Sequence, residues 1–320
     1  MYINYKSIDD LNQAVLHNLH RIPHDVDLVV GIPRSGMLPA NLLAMYLNKP
    51  FTDIDSFLDG KIYGVGERKS FVSSKSTNKI IIIDDSISEG KALKKVKQKL
   101  SLTDNSKIQD FTLIFGVVYA TDKSKGMVDF YCEIVNGYRL FQWNLFHHGD
   151  FIPRSCFDID GVLCPNPPID DDGPMYIDYI ANAPELYIPS LEIDTLVSCR
   201  LEKYRDITEE WLSKHNVRYK HLIMLNLPTR EERIRWGNHG KFKGEIYRKS
   251  KNVLFVESSL NEAKDIYMVS KKAVFCIETF EMINNESYFN KQSSLLMKSK
   301  FYKFLLSFKS RVKKIIKPKS

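Results

Sequence analysis

The run Ile80-Ile81-Ile82-Ile83-Asp84-Asp85-Ser86-Ile87-Ser88-Glu89-Gly90-Lys91-Ala92 constrains this chain more than any other stretch. Four consecutive β-branched residues read as a fully buried strand. Two acids, a Ser/Gly-containing turn and an apolar-periodic run (Ala92, Leu93, Val96, Leu100) then read as strand, loop, helix. Backbone N–H groups of residues 88 to 92 would point at an anion at the start of that helix, and Gly90 lets the backbone come close to it. Carboxylates repel phosphate, so the paired acids make sense gripping ribose hydroxyls or a Mg²⁺ beside it.

This order of residues resembles the phosphoribosyl pyrophosphate (PRPP) loop of type I phosphoribosyltransferases. The resemblance implies PRPP contacts from Asp84, Asp85, Ser86, Ser88, Glu89, Gly90, Lys91 and Ala92, with Asp84 and Asp85 serving the transfer itself. Ser88 and Gly90 stand where the family has its hydroxyl residue and glycine. Glu89 departs from the pattern, because a carboxylate facing the 5-phosphate would weaken binding. Upstream, Asp27 to Ile32 reads as a buried strand, followed by Pro33-Arg34-Ser35-Gly36. By the same resemblance this is the pyrophosphate loop, with Arg34, Ser35 and Gly36 holding the leaving group.

Other segments fit around these two loops. Ser7 is placed to cap a helix whose Leu11, Val15, Leu16 and Leu19 share one face. Residues 59 to 79 lack periodicity, carry Gly, Ser and Lys, and match the position of that family's flexible catalytic loop. Strands over Phe111 to Tyr119 and Asp129 to Val135 complete a parallel sheet. Phe141 to His148 closes the domain, with Trp143 a candidate to stack on an acceptor.

A second acid motif opens at Cys156-Phe157-Asp158-Ile159-Asp160-Gly161-Val162-Leu163. Residues two apart in an extended turn project to one side, so both carboxylates reach one phosphoryl group. An EF-hand is excluded, since no third ligand follows two residues on and no Glu closes the loop. The stretch resembles motif I of haloacid dehalogenase-like phosphatases, which implies Asp158 as nucleophile and Asp160 as general acid and base. Ser198, near the end of the strand Ile193 to Arg200, matches the phosphate-binding hydroxyl; Lys243 is preferred over Lys241 as the lysine. The resemblance also implies Mg²⁺ on Asp158, the carbonyl of Asp160, and Glu257. Members often carry two acids at this last position, and here Glu257 stands with Ser258 and Ser259. The short interval from Leu163 to Ile193 leaves no room for a bulky cap. The acids at 170 to 172 read as a solvated loop.

Charge separates the end of the chain from its body. Of a net +7, residues 291 to 320 hold ten Lys/Arg and no acid, leaving 36 basic against 39 acidic side chains elsewhere. That excludes a nucleic-acid-binding body and expects a local anionic partner for the tail. Phe301, Phe304, Leu305, Phe308, Val312, Ile315 and Ile316 share one helical face, as in a basic amphipathic helix lying on an anionic membrane surface. The first residues hold no signal peptide and no stretch reaches the length of a membrane span, so the expectation is a cytoplasmic protein, peripheral on the inner face of the membrane. Five scattered cysteines argue against a disulfide framework and a zinc site.

The expected fold is therefore α/β: two doubly wound parallel-sheet domains, 1–150 and 151–288, and a basic amphipathic tail, 289–320. The expected function is transfer of 5-phosphoribosyl from PRPP to an acceptor, followed by hydrolysis of the 5-phosphate. The whole chain resembles two-domain phosphoribosyltransferase-phosphatases of bacterial ribofuranose-containing polysaccharides, which implies a lipid-linked glycan acceptor. Two alternatives stand beside it: a nucleobase-type enzyme making a nucleoside, and a non-catalytic PRPP-binding regulator, which Glu89 favours.

Overall fold

The computed structural model describes residues 2–64, 77–102, 110–168 and 172–285. The expected tail, most of the loop at 59 to 79, and Asp170 and Asp171 lie outside them. The chain groups into two compact units, one spanning Ile3–Leu145 and the other running from Phe146 onward. No helix among the described residues is long and apolar enough to cross a membrane.

In the first unit, strands β2 (Leu28–Gly31), β3 (Phe51–Asp53), β4 (Lys79–Ser86), β5 (Thr112–Ala120) and β6 (Phe130–Ile134) form a parallel sheet in the order β3-β2-β4-β5-β6. Strand β4 is central, and the four isoleucines are needed because both its faces are covered. Ile81 and Ile83 pack in one cluster with Leu11, Val15 and Leu43, from helices α1 (Ile8–Asn18) and α2 (Met37–Leu47). Ile80 and Ile82 face the other way, against Ile54, Phe57, Val96 and Leu100, from α3 (Ile54–Leu58) and α4 (Lys91–Leu102). All four are fully buried. Helix α1 opens on a capping box between Ser7 and Asp10, a local device of about 1 kcal/mol. Its buried face is Leu11, Ala14 and Val15, whereas Leu16, expected there, is exposed. Strand β1 (Ile3–Lys6) pairs with β7 (Tyr138–Phe141) in a separate parallel ladder.

The second unit holds β8 (Ser155–Phe157), β9 (Ile193–Leu201), β10 (Tyr219–Leu225), β11 (Leu254–Glu257), β12 (Val274–Cys276) and β13 (Glu281–Ile283), in the order β10-β9-β8-β11-β12-β13. This sheet is mixed, not purely parallel, because β13 runs antiparallel to β12. Residues 277–280 are the whole connection, and a parallel return needs a crossover of roughly a dozen residues or more. Phe280 takes a positive φ of 51° to turn the chain back.

In both sheets the strand order reverses direction beside a central strand, between β2 and β4 and between β8 and β11. Loops leaving the C-terminal ends of such strands flank a crevice where open α/β sheets bind ligands. Both acid motifs stand at those positions.

Candidate functional sites

In the first unit the loop after β2 meets the end of β4. Gly36 packs so tightly that a Cβ there would lie 2.5 Å from the Ile32 carbonyl, 2.8 Å from the Ile83 carbonyl and 2.9 Å from an Asp84 oxygen. Any side chain would push the two loops apart. The Ser35 hydroxyl donates to Asp85 Oδ1 at 3.0 Å, and the Trp143 indole N–H donates to Asp85 Oδ2 at 2.8 Å. Trp143 also stacks on Phe141, with centroids 4.9 Å apart and planes 1° from parallel. Whatever its ring does toward the neighbouring cavity, its indole holds Asp85 in place.

Asp84 lies alongside, one oxygen accepting the Asp85 N–H at 2.8 Å. Burial, and next the charge of Asp85, push its carboxyl up to about 8. At neutral pH it is mostly protonated, able to donate as well as accept toward a hydroxyl. The turn beyond is held by its main chain: the Ile87 carbonyl accepts from Arg139 at 3.0 Å and from Ser124 at 3.2 Å. Gly90 sits at φ 72°, left-handed backbone that favours glycine. The first N–H groups of α4 have no partner within the helix, and this is the geometry that binds anions. Glu89 is exposed and pairs with Lys91 at 2.5 Å, so both carboxylate and ammonium are engaged at the surface. Arg139, which the sequence reading passed over, has its guanidinium pKa lowered by burial, opposed by the charge of Asp85. Arg34, Ser35 and Trp143 line a largely apolar cavity of about 500 Å³ with Leu38, Asn41 and Leu42.

In the second unit the acids converge on one ammonium. Lys243 Nζ reaches Asp158 at 2.7 Å, Glu257 at 2.8 Å and Glu262 at 2.7 Å. Burial would strip its proton, but the three carboxylates outweigh that and hold its pKa well above the ordinary value. Burial pushes the Asp158 carboxyl up, against the pull of Lys243. Lys241, the rival lysine, is exposed. Glu262 supplies the second acid that Glu257 lacks as a neighbour. It stands five residues on, in the first turn of the helix Leu260–Ser270. Its carboxyl is lowered to about 2: burial opposes this, but the His239 hydrogen bond and Lys243 prevail.

Asp160 takes a different cation. Arg200 donates from Nη2 at 2.7 Å and from Nε at 3.0 Å, and its side chain is fully buried. Burial would raise the Asp160 carboxyl, yet Arg200 keeps it below the usual range. Of the general acid and base roles expected of Asp160, an ionised carboxylate fits the proton acceptor. Gly161, at φ 77°, leaves room for Ser258, which a Cβ would strike at 2.4 Å.

Ser198 is not where the sequence pattern placed it. It is buried, and its hydroxyl accepts the Arg200 N–H at 3.1 Å. Alternation along β9 turns the next residue, Cys199, into the cavity, which is about 200 Å³ and also lined by Asp158, Asp160, His239, Lys243 and Ser258. His239 has Nδ1 3.6 Å from Glu262 and a buried Nε2 with no hydrogen-bond partner.

Of the groups expected to hold Mg²⁺ (Asp158, the carbonyl of Asp160, and Glu257), the carboxylates of Asp158 and Glu257 are both engaged by Lys243. One Glu257 oxygen accepts from the Ser258 and Ser259 N–H groups and the Ser258 hydroxyl, while the other takes Lys243. Among the described residues no three His, Cys, Asp or Glu side chains converge to hold a metal ion. The Lys243 ammonium occupies the middle of the acids. Asp172 pairs with Lys203 at 2.6 Å, apart from the cavity. All five cysteines are buried and free.

Residues 4–149 match the phosphoribosyl transferase domain family. No curated protein matches the chain. Among solved structures, it is similar to a purine phosphoribosyltransferase from Pyrococcus horikoshii Ot3, at 19% identity over 45% of this chain and 94% of that one, with a TM-score of 0.31. A Helicobacter pylori xanthine-guanine-hypoxanthine phosphoribosyltransferase is similar at 14% identity over 45% and 93%, also with a TM-score of 0.31. The Leishmania donovani UMP synthase is similar at 18% identity over 43% and 28%, with a TM-score of 0.27.

Proposed function

We propose that the phosphoribosyl transferase domain at residues 4–149 moves 5-phosphoribosyl from PRPP to a glycan acceptor, and that the second unit then removes the 5-phosphate. The observation that carries the first step is the placing of a largely protonated Asp84 and a fixed Asp85 on the strand that leads through Gly90 into the N-terminus of α4. The carboxyls grip ribose hydroxyls, the amides take the 5-phosphate, and Arg34 with Ser35 takes the departing pyrophosphate. Breaking the bond between C1 and the pyrophosphate oxygen leaves C1 to the acceptor's nucleophile. Glu89 is engaged by Lys91 at the surface, which supports the catalytic reading of the site.

For the second step, the buried cluster on Lys243 supports phosphatase chemistry. Burial favours the protonated Asp158 carboxyl, so it first gives its proton to solvent; the carboxylate, steadied by Lys243, then attacks phosphorus to form an aspartyl-phosphate, and the ribose oxygen leaves. His239 Nε2 is the donor available to that oxygen, and Asp160 takes a proton from the water that cleaves the intermediate. The 5-phosphate is what the α4 amides recognise, so hydrolysis follows transfer.

Full-length protein with PRPP and an acceptor, glycan or nucleobase, should release pyrophosphate and yield a ribosylated product without phosphate. The Asp158→Asn variant should instead accumulate a product one phosphate heavier. A phosphate-free product from that variant overturns the sequence of steps. Product from nucleobases and none from glycans reassigns the acceptor and makes this a nucleoside-forming enzyme. The proposed anchor to an anionic membrane is residues 291–320, motivated by their charge and periodicity. Wild-type protein should sediment with anionic vesicles, and equal sedimentation after removing the tail would refute the anchor.

A further inference from the structure

A second cavity of the Phe146-onward unit adjoins the phosphoryl cavity. It encloses about 490 Å³, within the roughly 300–1,000 Å³ of small-molecule sites. Tyr176 lines both cavities, and the Tyr179 hydroxyl lies 3.4 Å from Asp160. The helix Pro174–Asn182 builds it: Tyr176 and Ile180 turn into the core, while Met175, Asp178, Tyr179 and Asn182, at i, i+3, i+4 and i+7, face the cavity. Pro168 and Pro184 flank that stripe.

The lining chemistry selects a ligand. The Tyr ring, prolines and Met offer flat or slightly convex apolar surface, which suits the C–H faces of a sugar ring. Asn182 donates its amide to Asp178 Oδ1 at 2.9 Å. That bond leaves the other Asp178 oxygen, the Asn182 carbonyl and one Asn182 N–H side by side, acceptors and a donor that match the hydroxyls of a vicinal diol, each of which both donates and accepts.

We infer that this cavity is a saccharide subsite, holding the sugar next to the phosphorylated ribose while the phosphate lies in the Asp158 cavity. The inference rests on the phosphatase reading above. Steady-state rates of the full chain and of Asp178→Ala/Asn182→Ala, both exposed positions, test it with two esters and with adenosine 5′-phosphate as a third, comparison substrate. For a ribofuranosyl disaccharide bearing the 5-phosphate, the double variant should lose at least tenfold in kcat/KM. With p-nitrophenyl phosphate, which fills the phosphoryl cavity alone, it should stay within twofold. Equal losses on both esters, no loss on the disaccharide, or a larger loss on adenosine 5′-phosphate overturns the subsite. Should wild-type protein cleave neither ester, the phosphatase reading fails by itself. Saturation-transfer NMR with the unphosphorylated disaccharide then decides the subsite: signal lost in the double variant upholds it, and no signal or an unchanged one overturns it.

Discussion

Each unit sets two acids at the C-terminal edge of its sheet, where the strand order reverses, and the two pairs are compensated differently. Asp85 is held by neutral donors, the Ser35 hydroxyl and the Trp143 indole, and Asp84 has its neighbour's N–H. Burial and mutual repulsion there are resolved by keeping a proton on Asp84. Asp158 and Asp160 each have a buried cation, Lys243 and Arg200. The difference teaches what each site accommodates. A protonated acid beside an ionised one presents both donors and acceptors, as sugar hydroxyls require. An acid cluster built around an ammonium holds Asp158 and its neighbours in fixed positions in a small cavity.

The sharpest way to break this contrast is Lys243→Met. It leaves Asp158, Glu257 and Glu262 without their ammonium, and removing one partner of a buried ion pair costs about 3–5 kcal/mol. Amide hydrogen exchange should quicken in β8 and β11 and stay unchanged in β2 and β4. A loss below about 1 kcal/mol, or equal acceleration in both sheets, would mean that the cluster is not held by its cation.

A smaller effect sharpens the other side. The folded chain keeps the Asp84 proton up to about pH 8, whereas an unfolded aspartate releases it near pH 4, at about 3.9. Between those values the native state binds the extra proton, so this group's contribution to stability falls as pH rises and is lost through about 8. Asp84→Asn removes that dependence. Its thermal midpoint relative to wild type should climb from about pH 6.5 to pH 8 and then level, a gain of about 2 kcal/mol at roughly 1.4 kcal/mol per pH unit. A difference independent of pH would place the proton elsewhere.

Local pattern made much of this legible in the chain itself. The isoleucine run, both acid turns, Gly90 and the capping serine each act through neighbours a few residues away, so hydrophobic period and turn chemistry identify them. Lys243 was also visible, as a lysine ahead of an acid-ended strand. What tertiary structure alone decided is which groups meet across strands. Glu262 joins the cluster because its helix starts beside the end of β11, and Glu257 is thereby tied to Lys243 and to backbone amides. Arg200 finds Asp160 from the adjacent strand, 40 residues away. Trp143 crosses 58 residues to bind Asp85. The side of β9 that faces the cavity selected Cys199 over Ser198. A strand's period of two makes neighbouring residues face opposite ways, and which way is the cavity depends on what packs on each face of the sheet.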